Sequence, residues 1–556
     1  MVRFDHTYGM SIETNKIIEL SECNLETKTL LTGSLLKWMD IIACLAAEKC
    51  ASVPCVTASV DDLQIDKAIL LGHVVNLKAR VNRIFNTSME IEVLVISEDF
   101  YECSKICQAF FTFVTQPKPN GEKNIVPPKE PKTEEEKSLF ALANERKKMR
   151  LDYRSSLKRL KDNKEELQSK FVADETSDKN SHVTSDNTYS ECVEIVLPQH
   201  ANHHQTTFGG QLMAWMEQTC TISARRLCHG LPRLLTVDEV FFRAPSKVGD
   251  RIVIKSRVNH IFDRCMEVGA RVEAYAVGGE TRHIQSAFFT FIAPDEKGNP
   301  KVLPNMKPMN KDDFYRMKRA EARVKLRSER RMILGNDGLN AVSLNEKNQK
   351  ILCYKNILEL MALYNKDTFK FKLEMAPVRL SQLKIDDSLC IRLETEVDFS
   401  AADVYRALSD HTKRKHWDMF ITEVEILKEI KKSEDHVLRY KMSNLKPGCN
   451  TKGDDIIVLA SCRQEKDYAI IAYRSVKLDE FPPVPEYHRA INRCSGFIIE
   501  GAKRNEYKTS CKVTYINQLT EHIYEYVKTD LKGATETLSQ RAAALVQVIK
   551  TDVAGK

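Results

Sequence analysis

The feature that most constrains the fold of this chain is an internal repeat. The segment Arg-Val-Asn-Arg-Ile-Phe at residues 80–85 returns as Arg-Val-Asn-His-Ile-Phe at residues 257–262, an offset of 177 (257 − 80). Trp38-Met39 returns at the same offset as Trp215-Met216, and Ala-Phe-Phe-Thr-Phe at 109–113 returns at 287–291, one residue further on. A long repeat that occurs twice indicates a duplicated domain rather than a repeat array. The two copies can specialise differently, so the positions where they differ carry information about function.

Length and composition limit the classes that the chain can belong to. Its 556 residues predict three or four domains, at roughly 100–200 residues each. A net charge of +7 is small for this length and does not predict a nucleic-acid-binding protein. The 16 cysteines show neither zinc spacing nor a disulfide framework, which favours a reducing compartment. Since we find no leader in the first twenty residues and no apolar run long enough to span a membrane, we expect a cytoplasmic (cytosolic) protein.

Each copy of the repeat predicts one long apolar helix followed by antiparallel strands. The helices are expected at 34–50 and 211–228, and β-branched and aromatic runs predict the strands that follow. After each copy comes a charged segment of helical composition, which is either a solvated linker helix or a basic arm that closes over phosphates. From about residue 340 the repeat pattern is lost. The expected class is α+β, with a first repeat (5–117), a linker with a basic helix (118–180), a second repeat (181–295), a second such linker (296–339) and a third region (340–552).

Two glycines precede the helix of the second copy. Gly209 and Gly210 would let a ligand approach the positive end of the helix, where free N–H groups stabilise an oxyanion, although glycines also occur at ordinary helix starts. In the first copy the helix carries Asp40 among apolar residues, aligned with Glu217 of the second (217 − 40 = 177). Burial should raise the pKa of such a carboxylate and make it a better base.

These segments resemble a known family. The Ala-Asn-(x)6-Gly-Gly segment at 201–210, the Trp-Met-Asp/Glu helices and the Ala-Phe-Phe-Thr-Phe strands are similar to acyl-CoA thioesterases with two tandem hotdog domains, in which a sheet wraps a long helix. The third region resembles a START lipid-binding domain at Trp417-Asp418, at residues 468–471 with 475–476, at the Pro-rich break 481–485 and at residues 513–516. The region ends in a predicted amphipathic helix at 531–553. The combination covers nearly the whole chain and implies two hotdog domains followed by a START-like helix-grip domain.

The resemblance implies a composite active site between the hotdog domains, built from Asn202 of one and Asp40 of the other. Asp40 would deprotonate a water or, alternatively, attack the thioester carbonyl directly. Asn202 would orient the water or the carbonyl. The Gly210 N–H would bind the oxyanion. The equivalent site, with Leu25 or Asn24 beside Glu217, has diverged, and we expect one competent site per chain. The implied activity is hydrolysis of short-chain acyl-CoA, acetyl-CoA first, without a metal or another cofactor.

Coenzyme A carries phosphates that need cationic and hydroxyl partners. The resemblance suggests three places for them: the hairpin turn Thr87-Ser88-Met89, the segment Phe242-Arg243-Ala244, and Arg146 with Lys148 on the basic helix. The strand Ala58-Ser59-Val60 could lie along the pantetheine arm. Each of these segments can equally be structural.

Other interpretations stay open. Three histidines, His200, His203 and His204, allow a metal site or a histidine base, as in hotdog dehydratases, although no further metal-ligand cluster accompanies them. The chain could instead be a lipid-binding sensor whose hotdog domains serve oligomerisation. The diverged site, with Arg323 matching Arg146 (323 − 146 = 177), suggests an adenine-nucleotide effector. The resemblance further implies a homo-oligomer, from dimer to hexamer, and a lipid in the START-like domain.

Overall fold

The computed structural model describes most of the chain. The described residues are 3–4, 11–99, 103–171, 183–202, 205–238, 240–276, 278–295, 298–304, 306–334, 341–366, 368–375, 378–385, 388–418, 420–430, 433–443, 452–505, 508–518, 540, 543–551 and 553. They form two units, Met1–Ser328 and Glu329–Lys556.

The first repeat folds as a helix against an antiparallel sheet. Its helix α1 spans Thr32–Ala51. Its strands are β1 Arg3–Phe4, β2 Ser11–Ile17, β3 Cys23–Asn24, β4 Thr29–Leu30, β5 Cys55–Ile65, β6 Val74–Ile84, β7 Ser88–Glu98 and β8 Cys103–Thr115. The inward face of the strands and most of α1 are apolar and buried, which explains why this helix lacks a polar face.

Between the repeats, helices α2 (Glu134–Asp162) and α3 (Lys164–Ser169) form the first arm. The second repeat has the same plan as the first. Its elements are β9 Ser190–Ile195, α4 Gly209–Cys228, β10 Arg233–Asp238, β11 Val240–Phe241, β12 Arg251–Phe262, β13 Cys265–Tyr275 and β14 Thr281–Ile292, followed by the arm α5 at Lys311–Leu334.

One sheet runs through both repeats. Its order is β1-β2-β6-β7-β8-β5-β10-β14-β13-β12-β9, with β11 also paired to β5. The repeats join where β5 and β10 pair antiparallel, Thr236 opposite Gln64 and Val237 opposite Leu63. The two copies therefore pair their sheet edges within one chain.

The two long helices cross at glycines. A Cβ placed on Gly33 would lie 3.2 Å from Ala214 Cα, and one placed on Gly210 would lie 2.8 Å from Lys37 Cα. The residues of these contacts are related by the repeat offset, since 210 − 33 and 214 − 37 both equal 177. The glycines therefore allow each helix to bring its first turn close to the backbone of the other.

Buried ion pairs attach the charged arms to the sheet. Arg146 of α2 donates from Nε to Glu90 at 3.1 Å, and Arg323 of α5 donates from Nε to Glu267 at 2.9 Å. All four side chains are at least 95 % buried. Because the same pair occurs in both copies (267 − 90 = 177), its role is structural, and the expected solvated linker helix is instead a docked element.

The second unit is a large antiparallel sheet with helices packed on it. Its elements are β15 Val342–Ser343, α6 Gln349–Tyr364, β16 Lys370–Met375, β17 Val378–Ile385, β18 Ser388–Val397, α7 Ala401–Ser409, β19 Ile421–Glu429, β20 His436–Ser443, β21 Gly453–Gln464, β22 Tyr468–Lys477, β23 Tyr487–Arg489, β24 Ser495–Asn505 and β25 Lys508–Gln518. The main sheet order is β16-β17-β18-β25-β24-β22-β21-β20-β19. Of the helix expected at 531–553, residues 540, 543–551 and 553 are described and helical, and Leu545 and Ile549 pack in the core.

The structure also contains elements that the sequence analysis missed. The strands β2 and β9 precede the helix of each copy, and β11 follows β10 after a single residue. The short β11 matters most, because it adds the segment after Val240 to β5 of the other repeat.

The buried pair predicts a specific loss of stability. Arg146→Ala should lower the free energy of unfolding by about 3–5 kcal/mol, because Glu90 is left charged in the protein interior. Lys148→Ala, which removes an exposed charge on the same helix, should cost less than about 1 kcal/mol. Urea unfolding followed by tryptophan fluorescence compares the two. Equal unfolding midpoints would contradict the structural role of the pair.

Candidate active site

Asp40 lies at the crossing of the two long helices. It is fully buried. Its Oδ2 accepts a hydrogen bond from the Gly210 backbone N–H at 2.8 Å, and its Oδ1 accepts one from Thr57 Oγ1 at 2.7 Å. A carboxylate from α1 is thus held between the first turn of α4 and the strand β5.

The surroundings of Asp40 set its protonation. Burial raises the pKa of the Asp40 carboxyl to about 6, while the hydrogen bonds from Gly210 and Thr57 favour the charged form and limit the rise. At neutral pH the group is therefore mostly ionised, and it is more basic than an exposed aspartate. A base with a pKa near the working pH is what proton abstraction from water requires.

Glu217 occupies the matching position on α4. It is 8 % exposed, and burial raises the pKa of its carboxyl to about 7. The backbone N–H of Gly33 hydrogen-bonds to it, as Gly210 does to Asp40. The duplication therefore relates the two carboxylates. Each of them accepts a hydrogen bond from the first turn of the long helix of the other repeat.

The two sites differ in their other partner. Asp40 receives the hydroxyl of Thr57 from a strand, whereas Glu217 receives the hydroxyl of Thr221 from its own helix at 3.0 Å. The residue at the repeat offset from Thr57 is the buried Leu234 (57 + 177). Sequence reasoning missed Thr57; the mismatch between Thr57 and Leu234 was the signal that could have found it.

Asn202 lies in the loop that leads into α4. Its Oδ1 accepts hydrogen bonds from the Thr206 N–H and Thr206 Oγ1, both at 3.1 Å. With that oxygen engaged, the amide can act on a ligand as a donor through Nδ2. In the first copy Leu25 is 73 % exposed, and Asn24 Oδ1 accepts from the backbone of Glu26 and Thr27 in a turn.

The structure gives Gly210 a different role from the one expected. Its N–H was predicted to bind the oxyanion, but it donates to Asp40. Gly209 precedes it at the start of α4, and the first N–H groups of a helix have no intrahelical acceptor. In this structure the Gly210 N–H is therefore engaged by Asp40, and its role as an oxyanion donor stays a prediction.

The strand segment Ala58–Val60 and the segment 242–244 lie together. Ser59 and Val60 pair with β8 on one side and with β11 on the other, and the Phe242 N–H donates to Ala58 O at 3.1 Å. Phe242 packs on Gly209, where an added Cβ would lie 2.9 Å from the ring. Any contact between this strand and a pantetheine arm must come from side chains, since its edge is already paired. Arg243 is exposed and Ala244 packs against the core.

The other expected coenzyme A contacts are spread more widely. Thr87 and Ser88 are half-buried in the β6–β7 turn, whereas Met89 is fully buried in the core. Arg146 is committed to Glu90, as described above, and Lys148 is an exposed residue paired with Glu145 at 2.7 Å. Burial therefore argues against direct contacts from Met89 and Arg146.

Of the histidines considered as ligands or bases, His200 packs edge-on against Trp215, 4.9 Å between ring centroids, and His203 and His204 lie outside the described residues. Across the described chain we find no group of three or more potential metal-ligating side chains. In the same residues, no helix combines the length and apolarity needed to cross a membrane.

The close approach at Gly210 predicts a large effect of one methyl group. In Gly210→Ala the new Cβ would lie 2.7 Å from Asp40 Cβ, so the helices must shift. A misplacement of about 1 Å can cost about 100-fold in rate, and we expect kcat for thioester hydrolysis to fall by that order. Gly278→Ala, where an added Cβ meets nothing within 4 Å, is the control and should leave kcat unchanged. Full activity of Gly210→Ala would contradict the tight crossing.

Comparison with known proteins places this site in a family. The Thioesterase superfamily model matches residues 28–104 and 204–277, and the START domain model matches residues 350–521. Acyl-coenzyme A thioesterase 11 of Mus musculus is 41% identical over 519 residues, covering 90% of this chain and 84% of the relative. Acetyl-coenzyme A thioesterase of Mus musculus is 37% identical over 532 residues, covering 94% and 93%. A solved apo-hexameric acyl-CoA thioesterase is 27% identical over 27% of this chain and 97% of its own, with a TM-score of 0.26.

The matches cover both repeats and the second unit, and two of the relatives are matched over most of their length. Both predicted domain types, the hotdog pair and the START domain, are therefore confirmed, as is the α+β class. The chain belongs to the family of acyl-CoA thioesterases that join two tandem hotdog domains to a START domain.

Proposed function

We propose that the enzyme hydrolyses short-chain acyl-CoA, acetyl-CoA first, to the free carboxylate and CoA at a single site built around Asp40. The observation that carries the proposal is the buried Asp40 carboxylate, held by Gly210 and Thr57 with a pKa of about 6. The preference for acetyl is supported by the name of one relative, the mouse acetyl-coenzyme A thioesterase.

In the proposed reaction Asp40 takes a proton from water, and the resulting hydroxide adds to the thioester carbonyl. The N-terminal turn of α4 stabilises the oxyanion that forms. The tetrahedral intermediate collapses by breaking the carbon–sulfur bond, and the thiolate of CoA leaves. The proton held by Asp40 passes to the thiolate or to solvent, which restores the base. Asn202 orients the attacking water or the carbonyl through its Nδ2.

Glu217 is the matched control for this mechanism. It is also buried, and it has the same kind of helix-terminus hydrogen bond and a raised pKa, but it has neither the strand hydroxyl nor an asparagine at the position of Asn202. We infer that it does not turn over substrate, so one site per chain is competent.

The test is CoA release from acyl-CoAs of two to sixteen carbons. Removal of a general base typically costs about 100- to 10,000-fold, so Asp40→Asn should lower kcat by at least the smaller factor. Asn202→Ala should also lower it, while Glu217→Gln should leave it unchanged, with acetyl-CoA the best substrate of the wild type. Loss of activity in Glu217→Gln with retention in Asp40→Asn would move the base to the other site. Absence of turnover at every chain length would favour the lipid-sensor alternative.

We also propose that an adenine nucleotide binds outside this site. A cavity of about 380 Å³ lies between the outer face of the second-repeat sheet and α5. Its lining includes the basic residues Lys255, Arg257, Arg271, Arg316, Arg319 and Arg323 and one acidic residue, Asp312. Most of these basic groups form ion pairs with acidic neighbours, so the cavity does not carry a large net charge. A phosphate would bind to it through hydrogen bonds from the guanidinium groups.

The first repeat supports this assignment by contrast. At the repeat offset, Gly269 corresponds to Glu92, whose carboxylate is bound by Arg80 at 2.9 Å, and Arg319 corresponds to the buried Leu142. The first copy therefore has a carboxylate where the cavity is lined by Gly269, and a leucine where it is lined by Arg319. Arg323, whose match to Arg146 suggests the effector, forms a buried ion pair with Glu267, so its role in the lining of the cavity is structural.

Isothermal titration of ATP and ADP tests the effector site. Arg319→Leu restores the residue of the first repeat and should weaken binding by about tenfold, as expected for loss of one charge-assisted contact. Arg159→Leu, an exposed arginine of α2, should bind like the wild type. Unchanged affinity in Arg319→Leu would remove the effector from this cavity.

The remaining partners follow the family. We propose that the START domain binds a lipid. Its interior contains Arg414, which donates to Tyr440 Oη at 3.1 Å, so a charged side chain lies beside the apolar core. We place the enzyme in the cytosol, which the free thiols of its described cysteines favour. An assembly between dimer and hexamer remains a prediction.

A further inference from the structure

Helix α2 presents three arginines at one-turn intervals. Arg146, Arg150 and Arg154 are spaced by four residues and therefore share one face of the helix. Arg146 binds Glu90, and Arg150 binds Asp61 at 2.6 Å, with both carboxylates buried. The first two arginines of this row therefore form ion pairs with buried carboxylates of the protein.

Arg154, the third arginine of the row, is placed differently. No carboxylate is in ion-pair contact with it among the residues that the structure describes. Its guanidinium carbon lies 3.8 Å from the centroid of the Phe241 ring, and its side chain is exposed. Desolvation, and then the charges of Arg150 and Arg243, lower the pKa of Arg154, and Asp61 only partly opposes them.

Arg243 has the same character. It is exposed, and its backbone is fixed by a hydrogen bond from its N–H to Ile284 O at 2.9 Å. Within the described part of the chain it also has no carboxylate partner. Arg154 and Arg243 repel each other, Asp61 offsets this repulsion only in part, and a bound anion would remove the remaining cost.

A continuous run of contacts joins these arginines to Asp40. Arg154 stacks on Phe241, the next residue Phe242 packs on Gly209, and the following residue Gly210 donates to Asp40. Coenzyme A has a matching layout, since an extended arm separates its thioester from its phosphates. We propose that Arg154, together with Arg243, binds a phosphate of the CoA moiety while the thioester lies at Asp40. This assignment rests on the proposed function and replaces Arg146 as the phosphate ligand of the helix.

The duplication supports the assignment, because the equivalent site beside Glu217 lacks the aromatic ring and the second cation. At the repeat offset, Arg154 corresponds to Arg331, Phe241 to Gln64 and Arg243 to Asp66 (331 − 154 = 241 − 64 = 243 − 66 = 177). Gln64 donates to Asp66, so an amide and an acid stand where the other site has an aromatic ring and a cation. The anion-binding pair is therefore present only on the side of Asp40.

The test compares a substrate that has phosphates with one that has none. Arg154→Gln should raise the KM for acetyl-CoA by about tenfold with kcat unchanged, the expected loss for one charge-assisted contact. The same variant should hydrolyse S-acetyl-pantetheine, which lacks every phosphate, as well as the wild type does. The matched control Arg331→Gln should change neither substrate. Isothermal titration of CoA should show the same tenfold loss in Arg154→Gln, and this readout does not depend on turnover.

An unchanged KM for acetyl-CoA and unchanged CoA affinity in Arg154→Gln would overturn the assignment. So would an equal loss on S-acetyl-pantetheine, which would mean that Arg154 supports the shape of the site instead of binding phosphate. If the wild type hydrolysed neither substrate but bound CoA through Arg154, the proposed function would fail while the phosphate site stood.

Discussion

The hydrogen bond from the Gly210 N–H to Asp40 is the interaction on which the rest of the site depends. It requires that a helix of one repeat approach a helix of the other so closely that a side chain at Gly210 would overlap Asp40. It also places a carboxylate at the positive end of a helix, which favours its ionised form. Burial works against ionisation, and the outcome is a pKa of about 6. A folded-state pKa above the usual value means that ionised Asp40 destabilises the fold above that pH, on the order of 3 kcal/mol. The large apolar core around both helices can offset such a cost.

The duplication explains both the architecture and its asymmetry. The helix-terminus bonds to Asp40 and Glu217 and the pairs Arg146–Glu90 and Arg323–Glu267 recur at one offset, so they belong to the shared scaffold. Other positions differ between the copies. Thr57 contacts Asp40, whereas the matching residue of the second copy is Leu234, and Asn202 has Leu25 at its repeat offset. In our proposal Arg154 and Arg243 bind a phosphate of the substrate on the side of Asp40. The second repeat has a separate cavity that is lined by Arg319.

Much of this arrangement could be predicted from the sequence because the repeat supplied an internal alignment. The helices, the strands that follow them and the buried Asp40 followed from apolar runs and matched positions, and the two domain types followed from the resemblance to a known family. Positions that depend on pairing across the two copies could not be predicted in the same way. Thr57 is an isolated hydroxyl in a strand, and β11 has only two residues, so neither has a periodic signal.

The roles of charged and polar groups are harder to predict from the sequence than the helices and strands. The sequence leaves Arg146 open between a phosphate ligand and a structural residue, and its recurrence together with Glu90 favours the structural pair that the fold contains. Gly210 was assigned to the oxyanion because it starts a helix, but sequence spacing could not show that Asp40 of the other repeat would take its N–H. In both cases the partner lies more than fifty residues away, beyond the reach of local pattern.

The central claim is that the ionised Asp40 carboxylate is the base, and the pH dependence of kcat tests it most directly. For the wild type we predict that kcat is constant above an apparent pKa near 6 and falls about tenfold per pH unit below it, because protonation of Asp40 removes the base. Thr57→Val removes a hydrogen bond that favours the charged form, and it should move this pKa upward. A rate independent of pH through this range, or a profile that Thr57→Val leaves in place, would contradict the account.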